Sequence, residues 1–287
     1  EKQLLLNFEA SDWETTVWID GEIAGLHRGG YDPFSINITQ LLAHKRNHTL
    51  TVKVWDPTDR GRQPRGKQVT RPGGIWYTST TGIWQTVWLE PVPEISIGNI
   101  IIVPDVDKNC LTVTVCENFP ETDTSLKAEV TVKDKMHAIA TAKGRADKPI
   151  EIVIPDPVLW SPENPFLYDL DIRMIQDGEV IDEVSSYAGM RKVSIGKTKD
   201  GFTRILLNNS FLWQSGTLDQ GFWPDGIYTP PTDEAMLSDI EVLKKMGFNM
   251  IRKHVKVEPR RYYYHTDKLG MLVWQDMPSG DGFIEGN

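Results

Sequence analysis

Six side chains able to hold a polar ligand fall at the ends of three short apolar runs near the C-terminus. Asp219 follows the first run, Arg252, His254 and Lys256 follow the second, and Trp274 and Asp276 end the third. Carboxylates accept hydrogen bonds, Arg and Lys donate them, and a flat indole offers a face for stacking. The same groups can equally serve the protein itself. Arg252 can pair with Asp276, a role compatible with ligand contact; Lys256 can stand in solvent; any Trp among ten can pack in a core.

Such residues need elements that bring them together. The runs FLWQSG, NMIRKH and MLVWQD read as strands, separated by TDEAMLSDIEVLKKMGF and EPRRYYYHTDKLG, which read as helices. Both helices end alike: Lys245-Met246-Gly247 runs into NMIR, and Lys268-Leu269-Gly270 into MLVW. A Lys in the last turn and a Gly just past the end are stop signals. The first helix opens after Pro230-Pro231 with Thr232 as N-cap and Asp233 and Glu234 in its first turn. Met236, Ile240 and Leu243 give it one apolar face. Strands alternating with helices predict parallel βα units. A repeat of about two dozen residues suits a (β/α)8 barrel, whose functional residues gather at the C-terminal ends of its strands. Such a barrel takes about 250 residues, so after Phe211 the chain has room for only the first three of its strands.

The length of 287 residues suits about two domains. With 25% charged and 39% apolar residues, the composition is that of an ordinary globular protein. A net charge of -9 argues against nucleic acid or an anionic membrane surface as partner. No apolar run approaches the ~20 residues of a membrane helix. The cluster Arg60, Arg62, Arg65 and Lys67 lies in a Gly/Pro-rich stretch and reads as a solvated loop. Cys110 and Cys116 sit in CLTVTVC, whose alternation predicts a strand. Six residues of strand span ~20 Å, beyond a disulfide, so two free thiols on one face are expected. That pair does not suit a metal either, and Glu9, Asp12 and Asp20 match no metal-ligand spacing. The chain opens at Glu1 without Met or a signal-like segment; its native N-terminus is expected to be missing, which is compatible with a removed signal peptide.

Residues 1–92 are β-rich: LLLNFEA, TTVWID, HTLTVKVWD and GIWQTVWLE have strand patterns, with Asp20-Gly21 as a hairpin signal. Trp13, Trp18, Trp55, Trp84 and Trp88 are expected in the core. The stretch from Pro57 to Gly74 has no strand pattern and is long enough to be functional or disordered. Pro91-Val92-Pro93 reads as a linker. Residues 93–195 carry ISIGNIIIVP, CLTVTVCE, KAEVTVKD, PIEIVIPD, LYDLDIRMI and EVIDEVSSYAGMRKVSI, with Asp177-Gly178 at a hairpin. Six or seven strands in about a hundred residues suit an immunoglobulin-like β-sandwich without the Cys…Trp…Cys pattern of antibody domains. Residues 196–287 are the α/β segment.

Local text sharpens this outline. WIDGEIAGLHRGGYDPFSINITQLL, TTGIWQTVWLEPVP, LWSPENPFLYDL, YAGMRKVSI, GFNMIRKH and DKLGMLVWQDMP occur in that order. Together they resemble glycoside hydrolase family 2, the family of β-galactosidases, β-glucuronidases and β-mannosidases. The resemblance implies a jelly-roll-like sugar-binding domain, an immunoglobulin-like β-sandwich and the first three βα units of a TIM barrel. It implies hydrolysis of O-glycosidic bonds by a retaining enzyme, β-galactosidase-like on base rates. It implies no organic cofactor, with Mg or Na near the active site in some members. The expected partner is an oligo- or polysaccharide or other β-glycoside.

By the same resemblance the acid/base Glu follows the fourth barrel strand and the nucleophile Glu lies near the seventh, both beyond Asn287. Glu285 lacks the Asn-Glu pair of the family motif and is not expected to be either. The sugar-binding domain also begins short of the usual family length. The chain is therefore expected to be the front portion of a larger enzyme, inactive by itself. Arg252 matches the family Arg at the end of strand two, which shapes the pocket floor. The family reads R-x-x-H-x-P there, whereas this chain reads Arg-Lys-His-Val-Lys-Val-Glu-Pro, placing His254 one position early. Lys256 is the alternative contact for a hydroxyl or carboxylate. Asp219 stands where the family has Asn and His after strand one, and Trp223 and Trp274 could stack on a sugar face. The loop carrying Trp76 and Tyr77 reaches the sugar site in the family. Asp276 ends strand three where a family carboxylate stands and is a candidate metal ligand.

Two other classes remain open at this level: a non-catalytic carbohydrate-binding β-sandwich protein, and a structural or adhesive sandwich protein. Three unclosed parallel strands speak against the first, because their open edge would aggregate, and the second does not explain DKLGMLVWQDMP. The rest of a longer chain, or a second copy in a homo-oligomer, is expected to cover it. A periplasmic or secreted location is expected ahead of a cytoplasmic one.

Overall fold

The computed structural model describes residues 2–42, 46–118 and 125–280, so Glu285 lies outside the described residues. The fold is mostly β, with two α-helices among the described residues. The chain forms two compact units. A sandwich unit gathers Pro93–Gln214 with Asp267–Met271, and a composite unit gathers Lys2–Val92 and Ser215–Thr266 with the described residues 272–280.

In the sandwich unit one sheet has the order Ile97–Asp105, Cys110–Glu117, Ile150–Val153. The other has the order His137–Arg145, Lys127–Asp134, Tyr168–Gln176, Glu179–Ala188, and the pairs within both sheets are antiparallel. Strict alternation sends Leu111, Val113, Val130, Val132, Leu170 and Ile172 into a shared core, each with no exposed surface. Asp177 and Gly178 turn at φ 51 and 91, the left-handed pair that a tight hairpin requires. Trp160 and Tyr168 of LWSPENPFLYDL are buried. Arg191 of YAGMRKVSI lies 4.6 Å over the Trp160 ring and 2.5 Å from Asp267 Oδ1. These contacts give the two motifs a packing role. Both cysteines are free.

Three expectations need correction. FLWQSG is not the first parallel strand: Phe211 ends a small antiparallel sheet of Val193–Lys197, Thr203–Leu207 and Ser210–Phe211, turned by Asn208 and Asn209 at φ 51 and 64. Pro91-Val92-Pro93 is not a linker but the end of the Val87–Pro93 strand. That strand is tolerant of proline because it is the edge of a sheet with Lys2–Phe8 and Phe34–Asn37. Trp55 and Trp88 are not core residues, being 54% and 40% exposed. Val52 with Val54 and Val87 point inward, so alternation places both indoles on the outer face.

The first sandwich pairs that sheet with Glu22–Arg28, Glu14–Ile19 and Leu50–Trp55 around Leu6, Phe8, Val17, Ile19 and Ile38. Asp20-Gly21 makes the expected hairpin at φ 52 and 88. Between Pro57 and Gly74 the chain is irregular except for Gln68–Val69, which pairs in parallel with Tyr77–Thr78. The same unit holds the parallel sheet Gly216–Asp219, Met250–Lys253 and Leu272–Gln275. Helices α1 (Asp233–Lys245) and α2 (Arg260–Leu269) connect these strands. Thr232 caps α1 by accepting from Ala235 N at 3.1 Å, and Gly247 and Gly270 follow the helices at φ 90 and 75.

Candidate functional site

The register of the parallel sheet decides which side chains meet. Leu218, Arg252 and Trp274 form one row across it, and Asp219, Lys253 and Gln275 form the next row toward the strand ends. Alternation separates the rows onto opposite faces. On one face Ile251 and Lys253 are each 1% exposed, and Ile251 lines a cavity with Ile240 and Leu243 of α1 and Tyr262 of α2. On the other face Leu218 and Trp274 remain 48% and 44% exposed. The exposed row therefore faces away from the two helices.

Just past the strands, an open cluster forms. Arg252 donates from Nε to Asp276 Oδ1 at 3.2 Å and from Nη2 to Oδ2 at 2.9 Å. His254 Nδ1 lies 2.8 Å from Asp276 Oδ2. Limited burial pushes the Asp276 carboxyl up, but the hydrogen bonds from Arg252 and His254 outweigh it and hold it below the usual range. The Arg252–Asp276 pair is the ion pair that the sequence reading allowed. Both Asp276 oxygens already accept from the Arg252 guanidinium, so this carboxylate does not fit a Mg or Na ligand as placed. Among the described residues no group of three or more His, Cys, Asp or Glu is arranged to hold a metal.

Beneath it lies a buried cluster. Lys253 Nζ donates to Asp219 Oδ2 at 2.6 Å and to Glu258 Oε1 at 2.7 Å. Lys256 is not a solvated lysine: it is 1% exposed and donates to the carbonyls of Gly221 and Tyr228 at 2.6 and 2.7 Å. Its ammonium also lies 3.1 Å from Glu258 Oε1, 4.3 Å from the Tyr228 ring centre and 5.3 Å from that of Trp84. Burial lowers the Lys256 pKa to about 8 against the opposing pull of Glu258. Burial also opposes the charge on Lys253, but Glu258 and Asp219 overcome it and raise that pKa. Lys256 therefore holds the Gly221–Tyr228 loop in position and, as placed, faces no open surface.

The first sandwich contributes to the same unit. Tyr77 stacks on Phe222 with ring centres 3.9 Å apart and planes 9° apart. Trp76 instead stays in its own loop, with Lys67 5.2 Å and Arg65 5.9 Å from its ring centre. The Tyr31 and Tyr228 hydroxyls are 2.7 Å apart. The Pro57–Gly74 stretch docks near the strand ends: Arg65 Nη1 donates to Gly280 O at 2.7 Å, and Arg65 N and Gly66 N donate to Ser279 O at 3.0 Å. A Cβ on Gly66 would stand 2.6 Å from Val255 O, and its φ of 61 is left-handed, so glycine is required. Glu9, which matched no metal spacing, accepts from Arg260 N at 2.9 Å at the start of α2.

The strand ends thus bring together Arg252, His254 and Asp276, whereas Asp219 joins Lys253 in the buried cluster, and Tyr77 packs against the loop after the first strand. Sequence reasoning missed Lys253, Glu258 and Gln275. Gln275 donates to Lys256 O at 2.8 Å and Asp276 O at 2.6 Å, while accepting from Tyr263 Oη at 2.5 Å. One signal was present: successive strand residues point to opposite faces, so where helices cover one face either Arg252 or Lys253 must be buried.

Residues 95–191 match the sequence model of Glycosyl hydrolases family 2. A putative β-glucuronidase of Formosa agariphila is 26% identical over 285 residues, 95% of this chain and 32% of that protein. A β-galactosidase of Thermoanaerobacter pseudethanolicus is 24% identical over 288 residues, 96% of this chain and 37% of that protein. The solved structure of a β-glucuronidase from Ruminococcus gnavus with D-glucuronic acid superposes with a TM-score of 0.79 at 20% identity. It covers 97% of this chain and 48% of that one. The chain spans about a third of the length of the curated relatives it matches. Its middle carries the sequence pattern of that family, and named β-glucuronidases and β-galactosidases align along nearly all of its length.

Proposed function

We propose that this chain forms the front portion of a retaining β-glycosidase and supplies part of its sugar-binding surface. The observation that carries this reading is the parallel sheet. Two helices cover one face, Leu218 and Trp274 stay exposed on the other, and Arg252, His254 and Asp276 cluster at the strand ends. In the proposed reading these are the opening strands of a (β/α)8 barrel, the exposed row faces its interior, and the cluster lies at its functional end. Further strands of the same protein, or a second copy, complete the barrel wall.

Retaining hydrolysis needs two carboxyls ~5–5.5 Å apart, one as acid/base and one as nucleophile. Asp219, Glu258 and Asp276 are all held in ion pairs with Lys or Arg, which suits positioning and binding rather than proton transfer. The catalytic pair is assigned to the part of the protein that follows. Arg252 and His254 then contact sugar hydroxyls, and Trp274 offers its ring to a sugar face. No organic cofactor enters the chemistry.

The substrate class is proposed as β-galactosides. The test is hydrolysis of aryl β-galactoside, β-glucuronide and β-mannoside by the protein that carries this chain, with the product anomer followed by NMR. Fastest turnover of the galactoside with retained configuration is expected. Fastest turnover of the glucuronide would reassign the sugar, whereas an inverted first product, or no turnover of any of the three, would overturn the reading.

A further inference from the structure

A second groove, of about 690 Å³, opens on the composite unit and is lined by Trp13, Trp55, Asp56, Arg60, Arg62 and Thr70 among others. None of the strand-end residues lines it. Two features distinguish it from ordinary surface. Trp55 lines it and is 54% exposed overall, an indole at the end of a strand whose Val52 packs inward. Arg60 and Arg62 have no carboxylate partner among the described residues, in a chain of net charge -9.

The nearby carboxylates are already engaged. Asp56 accepts from Thr58 N at 2.7 Å, Thr58 Oγ1 at 3.1 Å and Thr81 Oγ1 at 3.0 Å. Asp59 accepts from Thr70 N at 3.2 Å and Thr70 Oγ1 at 2.9 Å. Glu14, opposite Trp55 in the sheet, pairs with Arg28 at 2.7 Å. Asp56 and Asp59 take these bonds from neutral groups and keep their own charge, while Arg60 and Arg62 form no ion pair among the described residues and leave their guanidinium donors open to a ligand. Their turn is also held in place: Arg60 N donates to Pro57 O at 3.0 Å, and Gln63 Nε2 donates to Thr58 O at 2.8 Å. A Cβ on Gly61 would fall 2.0 Å from Gln63 Oε1, so the chain between the two arginines has no room for a side chain as packed.

A flat aromatic beside paired planar donors matches an acidic sugar, whose C–H face suits the ring and whose anion suits the fork of Arg. We propose that this groove binds an anionic saccharide unit, with a pyranose face on Trp55 and a carboxylate or sulfate ester at Arg60 and Arg62. The site is separate from the strand ends and does not depend on the hydrolytic reading.

Calorimetric titration of the protein with tetrasaccharides of galacturonate, chondroitin sulfate and cellulose tests it. At least one acidic tetrasaccharide binds, and which one separates carboxylate from sulfate recognition; cellotetraose binds at least about tenfold more weakly. Trp55→Ala, and Arg60→Ala with Arg62→Ala, each weaken acidic binding at least about tenfold, while Trp55→Phe keeps most of it. Arg71→Ala, which removes a charge outside the groove, changes it less than about twofold. Unchanged melting temperatures in these variants exclude unfolding. Equal affinity for the neutral sugar, binding untouched by Trp55→Ala, or binding of neither acidic tetrasaccharide overturns the proposal.

Discussion

Among the described residues both units bury an apolar core, but only the composite unit also buries a cluster of charged side chains. In the sandwich unit, Val113, Val130, Val132, Leu170 and Ile172 lose all exposure, and the core is apolar on both sheets. In the composite unit, Lys253 and Lys256 are 1% exposed, with Glu258 and Asp12 at 4% and 3%. Apolar burial is non-directional and holds any well-filled core. A buried ion pair gives little net stability against desolvation, but it fixes geometry and is costly to break. The difference matches the proposed division of labour: one unit is a spacer that needs only to be packed, the other must hold strand-end side chains at defined positions. It also makes the two units respond differently to mutation and to pH.

The sharpest way to break the comparison is Glu258→Ala. It leaves Lys256 without its carboxylate and Lys253 with Asp219 alone. The expected loss is about 3–5 kcal/mol in urea unfolding of the composite unit; a loss below about 1 kcal/mol would mean these charges are effectively hydrated. Leu170→Ala in the sandwich unit should cost about 2–5 kcal/mol through its cavity. That cost should be the same in mildly acidic and mildly alkaline buffer, because no titrating group is involved.

Asp12 gives a smaller effect with a definite sign. Burial, and then the neighbouring Asp56, raise its pKa from 3.8 to about 7, partly offset by the hydrogen bond from Gln68. The folded state therefore holds this proton more tightly than the unfolded chain. The contribution is complete below pH 3.8, fades as pH rises, and is lost above about 7. Asp12→Asn should flatten the fall in composite-unit stability across that window by roughly 2–4 kcal/mol, read from urea midpoints. Parallel pH profiles for wild type and variant would remove Asp12 from the account.

Much of this contrast is not visible in the sequence. CLTVTVCE and KAEVTVKD coincide with their strands because β-branched residues alternate strictly. The Thr232 cap, both helix-ending glycines and the two Asp-Gly hairpins were legible because each uses a residue whose backbone chemistry is local. HAIATAKGR was missed because an Ala-rich edge strand has almost no apolar alternation to read. FLWQSG looked like a strand of the parallel sheet because apolar content does not say which sheet a strand joins. In the candidate site, Arg252 and Asp276 could be placed from the strand ends alone. In Arg252-Lys253-His254-Val255-Lys256, only the packing of α2 and the Gly221–Tyr228 loop determines which cations are buried.

The central claim is that the Arg252 cluster at the strand ends binds the sugar. The most direct measurement is kcat/KM on the preferred aryl β-glycoside for the protein carrying this chain and for its Arg252→Ala variant, with melting temperature as a control for folding. The account predicts a fall of at least about 100-fold with little change in melting temperature, since a charge-assisted contact to substrate is lost. Activity within about twofold of the unmodified protein, with the fold intact, would contradict it.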